Sequence, residues 1–211
     1  MISFEIKNGD FVGLIGANGS GKSTLIKSFF RVADVYAGEI FIDNKNIAKM
    51  RYDEIASFVS VQRLVAKTNI SLSVKSFIVA GLNKPDEVRL SEILEEFELL
   101  DISEKSISDV SDGQLQRVTL AQAVYRNPKV YLLDEPTSHL DLRYKVQLLS
   151  GIKKRIKDDS CGLAVIHEIE LAKKFCNKVI LLHNGRIRAF GGISILDDDS
   201  LISEIFDLDI I

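Results

Sequence analysis

The segment Gly16–Ser23 reads Gly-Ala-Asn-Gly-Ser-Gly-Lys-Ser and fits the pattern G-x-x-x-x-G-K-[ST]. Phosphate oxygens need several donors at close range, and glycines let the backbone fold around them because no Cβ stands in the way. We therefore expect Lys22 to bind the outer phosphates and the Ser23 hydroxyl to bind Mg²⁺. An apolar run precedes the segment and a helical pattern follows it, so we expect a phosphate-binding loop rather than a chance glycine-rich turn.

Two carboxylates, Asp134 and Glu135, directly follow the apolar run Val130–Leu133. A buried strand can end in acids merely to meet solvent. Beside a phosphate loop, however, we expect Asp134 to lie near Mg²⁺ and Glu135 to polarise an attacking water, a role worth ~10²–10⁴ in rate. His167 follows the run Leu163–Ile166, where it is either a structural histidine or a group that contacts the terminal phosphate or orients the water.

These side chains need a scaffold of alternating strands and helices, which implies a mainly parallel sheet covered on both faces. The pairs Asn8-Gly9 and Asn184-Gly185 are hairpin signals, and the second predicts a hairpin over Leu182–Ile187. The periodicity predicts strands at Ile2–Ile6, Phe11–Ile15, Glu39–Asp43, Phe58–Val61, Val130–Asp134, Leu163–Ile166 and Val179–Leu182, and helices near Lys22–Phe30, Tyr144–Lys157 and Ile169–Cys176.

The middle of the chain has a helical pattern instead, which predicts an inserted helical subdomain at residues 65–125. We therefore expect one domain over residues 1–211. Its α/β core comprises residues 1–64 and 126–211, with an antiparallel β part near the N-terminus.

Bulk composition excludes several classes of protein. The chain has 211 residues, of which 46% are hydrophobic and 27% charged, and its net charge is −3. This composition is that of an ordinary globular protein without a generally basic face for nucleic acid. No signal peptide and no run of ~18 apolar residues is found, so we expect a soluble, cytosolic protein whose membrane role would need a partner. Cys161 and Cys176 are expected to be buried free thiols.

Three further segments resemble motifs of the ATP-binding-cassette ATPases. Val110–Gln114 resembles the LSGGQ signature, Ser138–Asp141 the D-loop, and Gln62 the Q-loop glutamine. With the phosphate loop, Asp134-Glu135 and His167, six motifs follow in order, and the resemblance covers essentially the whole chain. It implies a P-loop NTPase fold, ATP and Mg²⁺ as ligands, and ATP hydrolysis.

The resemblance also assigns roles to individual residues. Glu135, His167 and Lys22 are implied to be catalytic. Mg²⁺ is assigned to Ser23, Gln62 and Asp134. The nucleotide is assigned to Gly16, Asn18, Gly19, Ser20, Gly21, Lys22, Ser23, Thr24, Gln62, Ser111, Gly113, Gln114 and Asp141.

Ser111 and Gln114 have the spacing of a capping box, and the helix behind them has one apolar face formed by Leu115, Val118, Ala121 and Tyr125. The start of a helix without any role in binding would also explain this spacing. In the family, however, two cassettes pair head to tail, and the signature of one meets the γ-phosphate held by the other. The resemblance therefore implies an ATP-dependent homodimer with two shared sites.

Within the family, Pro136–Leu142, Ser73–Gly81 and Ile195–Ile211 are similar to importers of siderophore iron, haem and cobalamin, although zinc and manganese cassettes look much alike. This likeness implies a peripheral protein on the cytoplasmic face of the membrane, bound to a permease and indirectly to a substrate-binding protein, with no nucleic acid. Exposed apolar residues near Gln62 and within Leu72–Ile78 are candidates for docking on the permease, and a core role for Phe77 and Ile78 is equally open.

Two other functions remain open on the sequence. A cassette that clamps nucleic acid or ribosomes usually carries a coiled-coil insertion or a second cassette, and neither is found in this sequence. A catalytically dead binding module would not need Lys22, Asp134, Glu135 and His167 together.

The sequence departs from the family pattern at two points. The aromatic residue that stacks on adenine normally precedes the first strand, and the chain begins inside that strand at Ile2. Such stacking is worth ~1–3 kcal/mol per base, so we expect GTP to be accepted nearly as well as ATP. Asp112 replaces the first glycine of the signature, and we expect its side chain to turn outward, away from phosphate.

Overall fold

The computed structural model describes residues 2–62, 72–138 and 140–207. At its centre is a six-stranded sheet in the spatial order β4-β5-β6-β1-β7-β8. The first five of these strands are parallel, and β8 is antiparallel to β7. The strands are β1 (Phe11–Ile15), β4 (Val59–Gln62), β5 (Val130–Leu133), β6 (Cys161–Val165), β7 (Lys178–His183) and β8 (Arg186–Gly192).

Strand β1 lies between β6 and β7 and is buried along its whole length. Because successive side chains of a strand point to opposite faces, Phe11 and Ile15 join one hydrophobic core while Val12 and Leu14 join the other. The continuous apolar run of β1 therefore reflects a sheet covered on both faces, as expected for parallel strands.

Helices cover both faces of the sheet and form the segment between β4 and β5. A short antiparallel pair, β2 (Phe41–Ile42) and β3 (Lys45–Asn46), accompanies the second core. The helices are α1 (Lys22–Ser28), α2 (Tyr52–Phe58), α3 (Val74–Ile78), α4 (Glu87–Glu96), α5 (Asp112–Tyr125), α6 (Leu142–Arg155), α7 (Ile169–Phe175) and α8 (Asp199–Phe206).

The segment between β4 and β5 contains α3, α4 and α5 with two short 3₁₀ turns, Leu100–Ile102 and Ile107–Asp109. Part of the predicted helical subdomain, residues 65–71, lies outside the described residues. Ile78 is fully buried and Phe77 packs against the same core, so both have a core role.

The predicted strand at Ile2–Ile6 is wrong for the structure described. Residues 2–7 belong to no strand, and the Asn8-Gly9 turn does not close a hairpin, because β6 and β7 occupy both edges of β1 and leave it no edge for the preceding segment. The apolar residues of the segment serve packing instead: Phe4 and Ile6 lie against the second core, and the Phe4 ring meets Phe190 edge-on with centroids 6.1 Å apart.

Other predictions of local structure were close. The predicted strand at Glu39–Asp43 is shortened to β2, and the hairpin at Asn184-Gly185 joins β7 to β8 as expected. Both cysteines are buried and free, and burial raises the pKa of Cys161 to about 11 and that of Cys176 to about 12. Across the residues that the structure describes, no helix has the length and apolar character needed to cross a bilayer.

Candidate active site

The phosphate loop joins the end of β1 to the start of α1, and its glycines are required by the backbone. Gly21 precedes α1 with φ of 104°, a left-handed conformation that side chains rarely adopt. A Cβ on Gly16 would lie 2.1 Å from the carbonyl oxygen of Leu182. The pattern predicted from the sequence therefore corresponds to a tightly folded loop held against β7.

Lys22 is folded into the loop itself. Its side chain is buried, and Nζ donates hydrogen bonds to the carbonyl oxygens of Gly16 at 2.9 Å and Ala17 at 2.8 Å. Burial lowers the pKa of Lys22, and the nearby carboxylates of Glu135 and Asp134 oppose that effect. The ammonium thus lies at the centre of the loop, with donors that a phosphate can take over from the two carbonyls.

The hairpin between β7 and β8 supports the loop from behind. The Gly185 N–H donates to the carbonyl oxygen of Ser20 at 2.9 Å. The Ser20 hydroxyl is buried and has no hydrogen-bond partner among the described residues. A buried polar group without a partner is costly, which fits a loop whose remaining donors are reserved for a ligand. Asn18, Gly19 and Thr24 are exposed along the loop.

Asp134 and Ser23 meet at the carboxyl ends of the parallel strands. The Ser23 hydroxyl donates to Oδ1 of Asp134 at 3.2 Å. The Asp134 N–H donates to the carbonyl oxygen of Gln62 at 2.9 Å, which extends the pairing of β4 with β5 by one residue. The structure therefore brings together the hydroxyl and the carboxylate that the sequence assigned to Mg²⁺.

Glu135 is held by several contacts in a strained conformation. Its φ is 54°, which costs a non-glycine residue about 1–3 kcal/mol. One carboxylate oxygen lies 3.0 Å from Nε2 of His167, and the other accepts a hydrogen bond from the Ser138 hydroxyl at 3.1 Å. The hydrogen bond with His167 is the main reason that the pKa of Glu135 is lowered, so this carboxyl is ionised at neutral pH.

His167 follows β6 and is about two-fifths exposed, so it lies at the rim of the site. Its contact in the structure is with Glu135. The predicted contact with the terminal phosphate or the attacking water stays a prediction. Ser138 was assigned only to the D-loop by sequence reasoning. Its contact with Glu135 spans the turn Glu135–Ser138, and Pro136 at the second position of that turn was the local signal that could have indicated it.

Gln62 was predicted to face the metal, and the structure places its side chain in the interface with α5. The side chain is 0% exposed, and Nε2 donates to the Thr119 hydroxyl at 3.4 Å. The amide oxygen has no hydrogen-bond partner among the described residues. Its role as a metal ligand stays a prediction.

The signature segment forms the start of α5. Ser111 and Gln114 make the predicted capping box: the Gln114 N–H donates to the Ser111 hydroxyl at 3.2 Å, and the Ser111 N–H donates to the Gln114 side chain at 2.9 Å. Ser111 and Asp112 are exposed, whereas Gly113 and Gln114 are half-buried. These two hydrogen bonds lie within the segment itself, which is displayed at the surface.

Asp141 caps α6, since its carboxylate accepts a hydrogen bond from the Tyr144 N–H at 3.0 Å. This contact gives the D-loop aspartate a structural role, and its predicted contact with nucleotide stays a prediction. His139, in the same motif, lies outside the described residues. The other predicted site residues form two groups. One is the phosphate loop with Asp134, Glu135 and His167, and the other is the signature segment at the start of α5.

Comparison with known proteins identifies the family of the chain. The family model for ABC transporters matches residues 1–138. The petrobactin import ATP-binding protein YclP of Bacillus subtilis is 30% identical, covering 99% of this chain and 86% of the relative. The iron(3+)-hydroxamate import ATP-binding protein FhuC of the same species is 29% identical, covering 99% and 81%. The phosphonates import ATP-binding protein PhnC of Lactobacillus acidophilus is 31% identical, covering 88% and 79%.

Solved structures share the fold. The ATP-binding subunit of an ABC transporter superposes with a TM-score of 0.86 at 25% identity, over 97% of this chain and 91% of that one. A dimeric ATP-binding cassette bound to ADP and phosphate after hydrolysis superposes with a TM-score of 0.77 at 26% identity, over 90% and 88%. Family model, relatives, fold and site geometry agree, and the chain belongs to the ABC transporter family as one of its ATPases.

Proposed function

We propose that this chain is the nucleotide-binding subunit of an ABC importer, and that two copies close around ATP to drive uptake of a metal chelate through a partner permease. The observation that carries the proposal is the placement of two side-chain pairs at the same edge of the sheet. Ser23 meets Asp134, and Glu135 meets His167, directly behind the folded phosphate loop.

The loop binds the nucleotide phosphates in this proposal. Their oxygens replace the carbonyls of Gly16 and Ala17 as hydrogen-bond partners of the Lys22 side-chain nitrogen. Backbone N–H groups of the glycine-rich segment add further donors. Because Gly185 and Leu182 hold the loop from behind, little reorganisation is needed when phosphate enters.

The Ser23 hydroxyl and the Asp134 carboxylate fit Mg²⁺, a hard cation that prefers oxygen ligands and is usually held by one or two carboxylates together with substrate phosphates. When bound there, Mg²⁺ would neutralise charge on the phosphates. Gln62 is the third predicted ligand of this metal.

Glu135 acts as the general base in the proposed reaction. Its carboxylate accepts a proton from water while the water oxygen attacks the γ-phosphorus, the bond from that phosphorus to the bridging oxygen breaks, and ADP leaves. The lowered pKa keeps Glu135 ionised, and the contacts with His167 and Ser138 fix both of its oxygens in place.

A second copy of the chain completes each site in the proposed dimer. The exposed Ser111 and the start of α5 form a surface that can approach the nucleotide of the partner. The dimeric cassette bound to ADP and phosphate, a structural neighbour at 26% identity, supports this arrangement.

The transport role rests on the names of the relatives. Two of them are ATP-binding proteins for import of petrobactin and iron(3+)-hydroxamate, which favours an iron chelate as cargo, and the phosphonate relative provides the competing class. We place the chain at the cytoplasmic face of the membrane, on a permease supplied with cargo by a binding protein.

The decisive experiment for catalysis is Glu135→Gln. We expect ATP binding to persist and turnover to fall by ~10²–10⁴, with an ATP-dependent dimer accumulating in gel filtration. Glu170→Gln is the matched control, because Glu170 is an exposed carboxylate in the first turn of α7. Unchanged turnover in Glu135→Gln would contradict the base role, and absence of the dimer would contradict the shared sites.

The cargo is tested by reconstituting the chain with its proposed partner permease. We expect ATP-dependent uptake of labelled iron(3+)-hydroxamate into proteoliposomes. Uptake of a labelled phosphonate in its place would contradict the proposed cargo.

A further inference from the structure

We infer that Gln116 is a positioning residue for Glu135 and links the signature helix to the general base within one chain. Gln116 lies on α5, two residues after Gln114, and is 0% exposed. Its side-chain Nε2 donates a hydrogen bond to the carbonyl oxygen of Glu135 at 3.0 Å. The inference rests on the proposed role of Glu135 as the general base.

Glu135 needs such support because its backbone is left-handed, with φ of 54°. The carbonyl oxygen accepts a second hydrogen bond, from the Ser138 N–H at 3.2 Å, which closes the turn after β5. The carboxylate is fixed separately by His167 and by the Ser138 hydroxyl. Gln116 thus adds a contact from α5 to the peptide group from which the Glu135 carboxylate projects.

The surroundings of Gln116 favour a positioning role over simple packing. Its amide oxygen is buried without a hydrogen-bond partner among the described residues, as is that of Gln62. Between them, the Thr119 hydroxyl accepts from Gln62 at 3.4 Å and donates to the backbone oxygen of Gln116 at 2.9 Å. An apolar side chain would avoid the cost of the unpaired oxygen, so the donor must supply something that packing alone does not.

This geometry gives α5 two functions at neighbouring positions. Its first turn, from Ser111, forms the surface proposed to meet the partner's nucleotide, and its next residues hold Glu135 of the same chain. A displacement of α5 when the dimer closes therefore moves the anchor of Glu135 directly. Contact of the signature segment with the partner's nucleotide and alignment of the Glu135 carboxylate then occur in the same movement of α5.

The test substitutes Gln116→Met, which keeps the length of the side chain and removes the donor. We expect kcat to fall by roughly two- to tenfold while ATP affinity stays within about twofold, because a single hydrogen bond is removed and the phosphate loop is untouched. Gln122→Met is the matched control, since it makes the same substitution on the same helix and removes a hydrogen bond to the Phe77 carbonyl oxygen without contacting Glu135 or Gln62. Its expected effect is on thermal stability, with kcat unchanged.

A double-mutant cycle with Glu135→Gln separates positioning from general damage. Single-turnover hydrolysis by Glu135→Gln should be unaffected when Gln116→Met is added, because a residue that acts through the carboxylate has nothing left to position. An equal loss in both backgrounds would overturn the inference. Unchanged turnover in Glu135→Gln alone would instead overturn the base role, and with it the need for positioning.

Gln116→Asn is a second variant, used in case Gln116→Met does not fold. It retains a polar amide, but its side chain is one methylene too short to preserve the 3.0 Å contact. We expect the same selective loss of kcat as for Gln116→Met. Full activity in a folded Gln116→Asn protein would overturn the inference.

Discussion

The phosphate loop and the signature segment are anchored in different ways. The loop is held by contacts from the β7–β8 hairpin: the Gly185 N–H donates to the Ser20 carbonyl oxygen, and Leu182 lies against Gly16. Lys22 adds hydrogen bonds from within the loop. The signature segment is held by its own capping box and is displayed to solvent. One half of the proposed site is therefore built before nucleotide arrives, whereas the other half is a surface awaiting a partner.

This difference predicts that substitutions in the loop act on binding in the single chain, whereas substitutions in the signature act on assembly. The two regions communicate through α5, because the helix that displays Ser111 also holds Glu135.

The largest effect is expected at Gly16. Gly16→Ala places a Cβ 2.1 Å from the backbone oxygen of Leu182, so either the loop or β7 must move. A displacement of about 1 Å in positioned groups can cost ~10²-fold in activity, and we expect at least that loss, measured together with ATP affinity by calorimetry. Gly192→Ala is the control, because its Cβ would meet nothing within 4 Å. Normal ATP binding by Gly16→Ala would contradict the preformed loop.

His167→Ala is expected to have the next largest effect. It removes the main cause of the lowered pKa of Glu135, so that pKa rises toward its ordinary value. The base works as a carboxylate above its pKa, hence the acid limb of the kcat–pH profile should move to higher pH, with kcat lower by roughly 10- to 100-fold. An unshifted acid limb would show that His167 does not act through Glu135.

The same contact predicts a change in stability with pH. A carboxyl whose pKa is lowered by folding contributes stability above its unfolded pKa, and that contribution is lost as pH falls through the folded value. His167→Ala should therefore lower Tm near neutral pH and leave it unchanged in acid, where Glu135 is protonated in both proteins. A Tm difference that persists in acid would assign the loss to another contact.

Ser111→Ala tests the role of the signature segment in the dimer. We expect the ATP-dependent dimer formed by Glu135→Gln to weaken by about fivefold or more, because a hydrogen bond from the Ser111 hydroxyl to the partner's nucleotide would be worth roughly 1 kcal/mol, while ATP binding to the single chain is preserved. Ser73→Ala is the matched control, because Ser73 caps α3 in the same region between β4 and β5. Equal weakening of the dimer by both variants would assign the effect to helix stability rather than to the shared site.

The smallest effect is expected for Asp112→Gly. The Asp112 side chain is exposed in the first turn of α5, where a negative charge is favourable by about 0.3–1 kcal/mol. We expect a slightly lower Tm and ATPase activity within about threefold, on the same scale of free energy. A rise in activity by orders of magnitude would contradict the outward orientation.

Much of the fold could be predicted from the sequence because its signals are local. Apolar runs such as Phe11–Ile15 specify buried strands, Asn184-Gly185 specifies a hairpin, and the Ser111–Gln114 spacing specifies a helix cap, each through residues close together in the chain. Asp134 and Glu135 were located for the same reason, since the ends of parallel strands share one edge of the sheet. The predicted strand at Ile2–Ile6 failed because pairing depends on a neighbouring strand, which alternation alone cannot supply.

The sequence by itself determined the chemistry of this protein: a loop shaped for phosphate, two carboxylates and a histidine in an order that makes hydrolysis possible. Only the tertiary structure decided which contacts hold these groups in place. Gly185 reaches Ser20, and Gln116 reaches Glu135, across distances in the chain that no periodicity encodes. The physical reason is that these hydrogen bonds depend on the packing of α5 and of the β7–β8 hairpin against the sheet, which is established only when the whole core forms.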